Sequence, residues 1–167
     1  MPKKTTILIP ARMASTRFPG KPLAPIDGIP MVVYCARNAL ETGLDVFVCT
    51  DTKEVESVCK LYKIPSILTP EFNTGTDRVA YAVDKIETDY VINLQGDEPL
   101  INSKSLNLFI EKLHELDLDS NQIITGISYV HSEEAFDPNI VKCALVKNDS
   151  SILYFSRKPL LNLAEES

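Results

Sequence analysis

From Ile9 to Pro22 the chain reads IPARMASTRFPGKP, an apolar run that opens into Arg12, Arg17 and Lys21 interleaved with Ala11, Ala14, Ser15 and Gly20. Small residues let backbone N–H groups close on an oxyanion, and the cations add long-range charge. A triphosphate is the ligand such a loop suits. The spacing is neither that of a Walker loop nor the Gly-x-Gly-x-x-Gly of dinucleotide folds. Taken alone, a solvated basic loop that aids solubility explains the segment equally well.

Two further motifs carry chemistry. In Asn73-Thr74-Gly75-Thr76-Asp77-Arg78, Thr74 or Thr76 can cap a helix whose free N–H groups then face a ligand. Gly75 permits close approach of backbone to a base edge; an ordinary capped helix is the plainer alternative. In Leu94-Gln95-Gly96-Asp97-Glu98-Pro99, two adjacent acids leave an apolar run between Gly96 and Pro99. Carboxylates so placed suit Mg²⁺, which takes one or two from protein and the rest of its shell from phosphates and water. Asp97 is the better ligand candidate, and a polar turn without metal is the alternative.

Charge narrows the partners. The first 21 residues hold five cations and no acid, leaving 12 basic against 23 acidic side chains in the remainder and −6 overall. Nucleic acid and anionic membrane both require a spread of uncompensated Lys and Arg, so neither is expected as a partner. Cys35, Cys49, Cys59 and Cys143 are far apart without a Cys-x-x-Cys pair, which reads as reduced thiols in a cytoplasmic protein. Two histidines, His114 and His131, do not make a metal site. No run is long enough to span a membrane, and no secretory signal is visible.

The elements that must position these motifs alternate. Thr5–Pro10, Asp45–Thr50 and Tyr90–Leu94 read as buried strands with continuous apolar character. Helices are expected from Pro30 to about Thr42 with Gly43 as the stop, after Asp51, after Thr76, and after Ser103 with Leu106, Phe109, Ile110 and Leu113 as its stripe. Alternation of this kind predicts an α/β fold with a mostly parallel sheet, whose ligands gather at the carboxyl edge of the strands. Near the end, Ile123–Tyr129, Val141–Val146 and Ile152–Phe155 read as strands, the last two joined across Asn148-Asp149, so a mixed sheet is expected. The length suits one domain with a substantial core.

Taken in order, IPARMASTRFPGKPL, the Gly75–Arg78 turn, NLQGDEPLI, AFDPNIVK at Ala135 to Lys142 and LYFSRKP at Leu153 to Pro159 resemble the 3-deoxy-manno-octulosonate cytidylyltransferases, the CMP-Kdo synthetases. The resemblance covers nearly the whole chain. It implies a Rossmann-like nucleotide-diphospho-sugar transferase fold, three-layer α/β/α, with residues 1–159 as the nucleotidyltransferase domain and 160–167 as a polar tail. It also implies transfer of CMP from CTP to a sugar acid, Kdo, with release of pyrophosphate, for lipopolysaccharide or capsule assembly. CMP-sialic acid synthetases are the neighbouring enzyme reading, and a CTP-binding module without turnover is the reading of another class.

Carried onto this sequence, the resemblance puts Ala11, Arg12, Lys21, Asn73, Thr74, Gly75 and Arg78 around the nucleotide, with Arg12, Lys21 and Asp97 as the catalytic set. Asp97 would hold Mg²⁺, and Gln95 and Arg157 would approach the sugar acid, Arg157 through a planar fork that matches a carboxylate. Direct in-line displacement at the α-phosphorus fits these roles, and no Ser-His-acid or Cys-His nucleophile is evident. A homodimer is one option the resemblance leaves open. The family's chains are substantially longer, with a second Mg²⁺-binding aspartate beyond the SRKP segment. CTP binding by this chain is therefore expected to survive better than turnover.

Overall fold

The computed structural model describes residues 3–14, 18–116, 118–119, 122–131, 133–147 and 151–159. Arg17, Ser15, the Asn148-Asp149 turn and the 160–167 tail lie outside these residues. The chain divides into two compact units, Met1–Ile123 and Ile124–Ser167.

The first unit is built on a parallel sheet in the order β5-β4-β1-β6, from β1 (Thr5–Ala11), β4 (Asp45–Thr50), β5 (Ser66–Leu68) and β6 (Tyr90–Asn93). β1 lies between β4 and β6, pairing Leu8 with Phe47 on one side and with Asn93 on the other. Ile7, Leu8 and Ile9 are all fully buried, which accounts for the unbroken apolar run: successive side chains point to opposite faces, and both faces are covered. On one face, Leu8 and Cys49 pack with Val79 and Ala82 of α3 (Gly75–Val83). α1 (Met31–Leu40) rests on β1 and β4 and meets α4 (Ser103–Leu116). The Thr5 hydroxyl of β1 in turn lies 2.8 Å from His114 Nε2 on α4.

Local chemistry sets the helix ends. α1 starts at Met31, one residue after the expected first helical position at Pro30, because Pro30 pairs with Pro25 in a small antiparallel hairpin of β2 (Pro25–Ile26) and β3 (Ile29–Pro30). Gly43 adopts φ 78°, the left-handed conformation that stops a helix. α2 (Lys53–Leu61) is capped by Thr52, whose hydroxyl accepts from the Val55 amide. Among the described residues, no helix is long and apolar enough to cross a membrane.

In the second unit, β7 (Lys142–Leu145) and β8 (Ile152–Ser156) pair antiparallel, with Cys143 opposite Phe155. The antiparallel pairing expected within one mixed sheet thus forms its own two-stranded ribbon, and the four-stranded sheet is wholly parallel. Residues 122–130 form no strand, contrary to the reading of Ile123–Tyr129. Ile123, Ile127 and Tyr129 are all exposed, so the apolar pattern here has no neighbouring strand among the described residues against which to bury.

Candidate functional site

A cleft of about 750 Å³ opens at the carboxyl edge of the parallel sheet, entirely within the first unit. Three segments that the sequence marks as chemical meet there: the loop after β1, the start of α3 and the loop after β6. Their close approach depends on two glycines. A Cβ on Gly96 would stand 2.7 Å from the Pro10 carbonyl oxygen, and one on Gly75 would stand 3.2 Å from the Pro10 ring. The loops after β1 and β6 touch at a separation that side chains would prevent.

The loop after β1 folds back through Gly20, whose amide donates to the Met13 carbonyl at 3.1 Å. Gly20 takes φ 73°, the left-handed region that glycine enters without steric cost. It delivers Lys21 as the first residue of a single 3₁₀ turn, Lys21–Leu23. Lys21 Nζ lies 2.6 Å from Asp97 Oδ2, with the two side chains 36% and 49% exposed. Arg12, from the same loop, donates to the Asn73 carbonyl at 3.0 Å. The cationic loop is thus tied both to the start of α3 and to the acidic loop.

At the start of α3 the Thr74 hydroxyl accepts from the Asp77 amide at 3.0 Å and donates to the Asp77 carboxylate at 2.6 Å. This cap takes up one of the orphan N–H groups of the first turn, and the helix dipole leaves the cleft wall electropositive. Ala11, Asn73, Thr74 and Gly75 all border the cleft. Gln95, also on the wall, is turned by a hydrogen bond of 3.1 Å from its Nε2 to Asn93 Oδ1.

Arg78 borders the cleft but is only 1% exposed, and its guanidinium is committed inward. Nη2 pairs with Asp51 Oδ2 at 2.7 Å and Nη1 donates to Thr69 Oγ1 at 2.6 Å. Asp51 leaves β4 and Thr69 leaves β5, so Arg78 pins α3 across two strand ends. The other carboxylate oxygen, Asp51 Oδ1, is buried and has no hydrogen-bond partner among the described residues. The sequence places Arg78 against the nucleotide; in the structure it lines the cleft with its guanidinium held by Asp51 and Thr69.

Asp97 is the carboxylate that the sequence expectation gives to magnesium. Its oxygens sit at the cleft rim, half exposed, and already hold one cation, the Lys21 ammonium. Among the described residues no group of three or more His, Cys, Asp or Glu converges. The donor set therefore fits an ion that completes its shell with phosphate oxygens and water, as magnesium does.

Arg157 lies in the second unit, where Nη1 donates to the carbonyls of Pro138 and Asn139 at 3.2 and 3.1 Å. Lys142, buried at the base of the same turn, donates to the carbonyls of Asp137 and Arg157. The AFDPNIVK and SRKP segments are thus one structural motif.

Several participants are missed by sequence reading. Phe18 borders the cleft but its motif gives no cue beyond the basic residues around it. Asp51 stands out as an acid after a strand, yet its partner is 27 residues away. Cys35 and Asn38 on α1 contact the Asp97 loop and carry no local signature. The Cys35 thiol is pushed up to about 11 by burial, and Cys49 and Cys59 to about 12 and about 11 for the same reason. None is a nucleophile at neutral pH.

Comparison with known proteins gives the family. The chain is 42% identical over 160 residues to the 3-deoxy-manno-octulosonate cytidylyltransferase of Wolinella succinogenes, covering 92% of this chain and 65% of that protein. It is 39% identical to the enzyme of the same name from Halorhodospira halophila, covering 93% and 62%. The chain therefore spans somewhat under two thirds of the length of these curated relatives. Among solved structures, CMP:2-keto-3-deoxy-manno-octonic acid synthetase in complex with CTP superposes with a TM-score of 0.83 at 32% identity, over 98% of this chain and 69% of that one. A cytidylyltransferase from Leptospira borgpetersenii gives 0.59 at 28% identity, over 66% of this chain and 48% of that one. The family model for cytidylyltransferases matches residues 6–167, a span that includes every segment of the cleft, and the chain belongs to that family.

Proposed function

We propose that this chain binds CTP in the cleft and transfers CMP to 3-deoxy-D-manno-octulosonate with release of pyrophosphate, in the cytoplasm and in support of lipopolysaccharide assembly. The observation that carries the reading is the meeting of Arg12, Lys21, the start of α3 and Asp97 around one cleft. Its support from comparison is the similarity to the CTP-bound synthetase.

On this reading the work divides among the chain's own residues. The backbone from Asn73 to Gly75, on the cleft wall, is the proposed border of the base. Arg12 and Lys21 face the triphosphate and neutralise its β- and γ-phosphates. The sugar's anomeric hydroxyl oxygen bonds to the α-phosphorus while the bond to the α,β-bridging oxygen breaks. Pyrophosphate leaves with that electron pair, and the hydroxyl proton passes to solvent. Lys21 and Arg12 stabilise the charge that grows on the leaving group, which is where preorganised cations contribute most. Magnesium bound at Asp97 would supply further positive charge to the phosphate oxygens. Gln95 and Arg157 are the proposed contacts to the sugar acid.

Incubating the purified chain with CTP, Mg²⁺ and Kdo and measuring pyrophosphate tests this. Release with Kdo and not with sialic acid is expected. Release with sialic acid alone would reassign the substrate. Thermal stabilisation by CTP with no pyrophosphate from any sugar acid would leave a CTP-binding module, and no stabilisation at millimolar CTP would remove the nucleotide reading altogether.

A further inference from the structure

The loop that carries Asp97 is held along its length by one face of α1. The Cys35 thiol donates to the Gly96 carbonyl at 3.3 Å. Asn38 Nδ2 donates to the carbonyls of Pro99 and Ile101 at 3.0 and 2.8 Å. Glu41 accepts from the Ser103 hydroxyl at 2.7 Å. Residues three apart on a helix advance by about 300°, so positions 35, 38 and 41 fall within an arc of about 120°. Cys35 and Asn38 meet the loop at 96 and at 99 and 101, and Glu41, which follows α1, meets Ser103 at the start of α4.

The three contacts differ in strength. A thiol is a weak donor, and the Glu41 contact is exposed and ties only the start of α4. Asn38 is partly buried and uses both amide hydrogens, one on each of two carbonyls two residues apart. The turn between them is otherwise closed by longer backbone bonds, Glu98 to Gln95 at 3.2 Å and Ile101 to Glu98 at 3.3 Å. On the other side Gly96 leaves no room for a side chain against the Pro10 carbonyl, so the Asn38 contacts hold the part of the loop that this packing does not.

We infer that Asn38 is a positioning residue that fixes the Asp97 carboxylate for its cation, acting through the Pro99 and Ile101 carbonyls without touching substrate. The inference rests on the reading of Asp97 as the metal ligand. Groups that orient a ligating side chain cost about 10- to 100-fold in metal affinity when removed.

The test uses the full chain with CTP and counts free Mn²⁺ by electron paramagnetic resonance, comparing wild type, Asn38→Ala, Asn38→Ser and Asp97→Asn. Asn38→Ala is expected to weaken Mn²⁺ by at least about tenfold, to leave CTP affinity in EDTA unchanged, and to speed amide hydrogen exchange across residues 96–102. Asn38→Ser, which keeps one donor, is expected to lose less and carries the test should Asn38→Ala not fold. Mn²⁺ affinity at the wild-type level in folded Asn38 variants, with Asp97→Asn clearly weakened, overturns the inference alone. Equal Mn²⁺ affinity in wild type and Asp97→Asn overturns the metal reading of Asp97 and this inference with it.

Discussion

Lys21 Nζ stands 2.6 Å from Asp97 Oδ2, so the cation proposed for the triphosphate and the carboxylate proposed for the metal neutralise each other across the cleft. Both side chains keep a third to a half of their surface exposed, and a pair so open to water contributes at most about 1 kcal/mol. That is weak enough for a metal–triphosphate complex to separate them, the metal taking the carboxylate and the phosphates taking the ammonium. The pair also keeps Lys21 and Asp97 near their working positions beforehand, which lowers the ordering cost of binding.

Separating the two roles gives opposite signs in the absence of metal. Asp97→Asn frees Lys21 from its partner, so CTP in EDTA is expected to bind up to about fivefold tighter than to wild type, the equivalent of about 1 kcal/mol. With Mg²⁺ and sugar acid the same variant is expected to lose turnover by two orders of magnitude or more. Isothermal titration and pyrophosphate release measure the two. Weaker CTP binding in EDTA would mean that the pair holds the site open and does not compete with the nucleotide.

Lys21→Ala is expected to act on the distal phosphates. Loss of a charged hydrogen bond costs about 1.5–3 kcal/mol, so CTP affinity should fall by at least about tenfold. CMP, which lacks the β- and γ-phosphates, should bind the variant and wild type within about twofold of each other. A parallel loss for CMP and CTP would place Lys21 at the α-phosphate or give it a purely structural part.

Arg78 is predicted to matter first for stability. Its guanidinium joins Asp51 and Thr69 in a buried cluster, and removing one partner of a buried ion pair leaves an uncompensated charge, costing about 3–5 kcal/mol. Arg78→Met should lower the urea midpoint accordingly, and adding Asp51→Asn should restore part of it. If Arg78→Met unfolds like wild type but binds CTP poorly, the guanidinium works on the nucleotide and not on the fold.

These three residues show what a sequence can and cannot disclose. β1 and β4 were legible because strands buried on both faces have apolar runs, as in Thr5–Ala11 and Asp45–Thr50, and β6 because its short run Tyr90–Asn93 keeps the same character. Thr74 was legible because a cap is a local event. Lys21 and Asp97 were marked by type and by the strand ends that precede them, although their contact spans 76 residues. Arg78 was legible as part of a turn motif, but its partners come from two other strands, so its burial was not. Asn38 gave no signal: one polar residue on an amphipathic helix reads as surface until the loop it grips is in place. The run Ile123–Tyr129 erred the other way, since apolar alternation predicts a strand only where another strand is present to pair with it.

The thiols supply a pH dependence with a definite sign. Burial raises Cys35, Cys49 and Cys59 from 9.0 to about 11, about 12 and about 11. The folded chain thus keeps them neutral at pH values where the unfolded chain loses their protons. Their contribution is whole below pH 9 and is lost as pH rises from 9 toward 11 for Cys35 and Cys59 and toward 12 for Cys49, by up to about 1.4 kcal/mol per pH unit for each thiol. Lysine and tyrosine titrations add to the slope in any variant, so the comparison must be internal. The urea midpoint should fall more between pH 8 and pH 10 in wild type than in the triple variant Cys35→Ala, Cys49→Ala, Cys59→Ala. In the native state at pH 8, Cys143, which is only half-buried, should react with a disulfide reagent well before the other three. Equal pH slopes in wild type and the triple variant, or early labelling of Cys49, would mean that the core opens far more readily than its packing indicates.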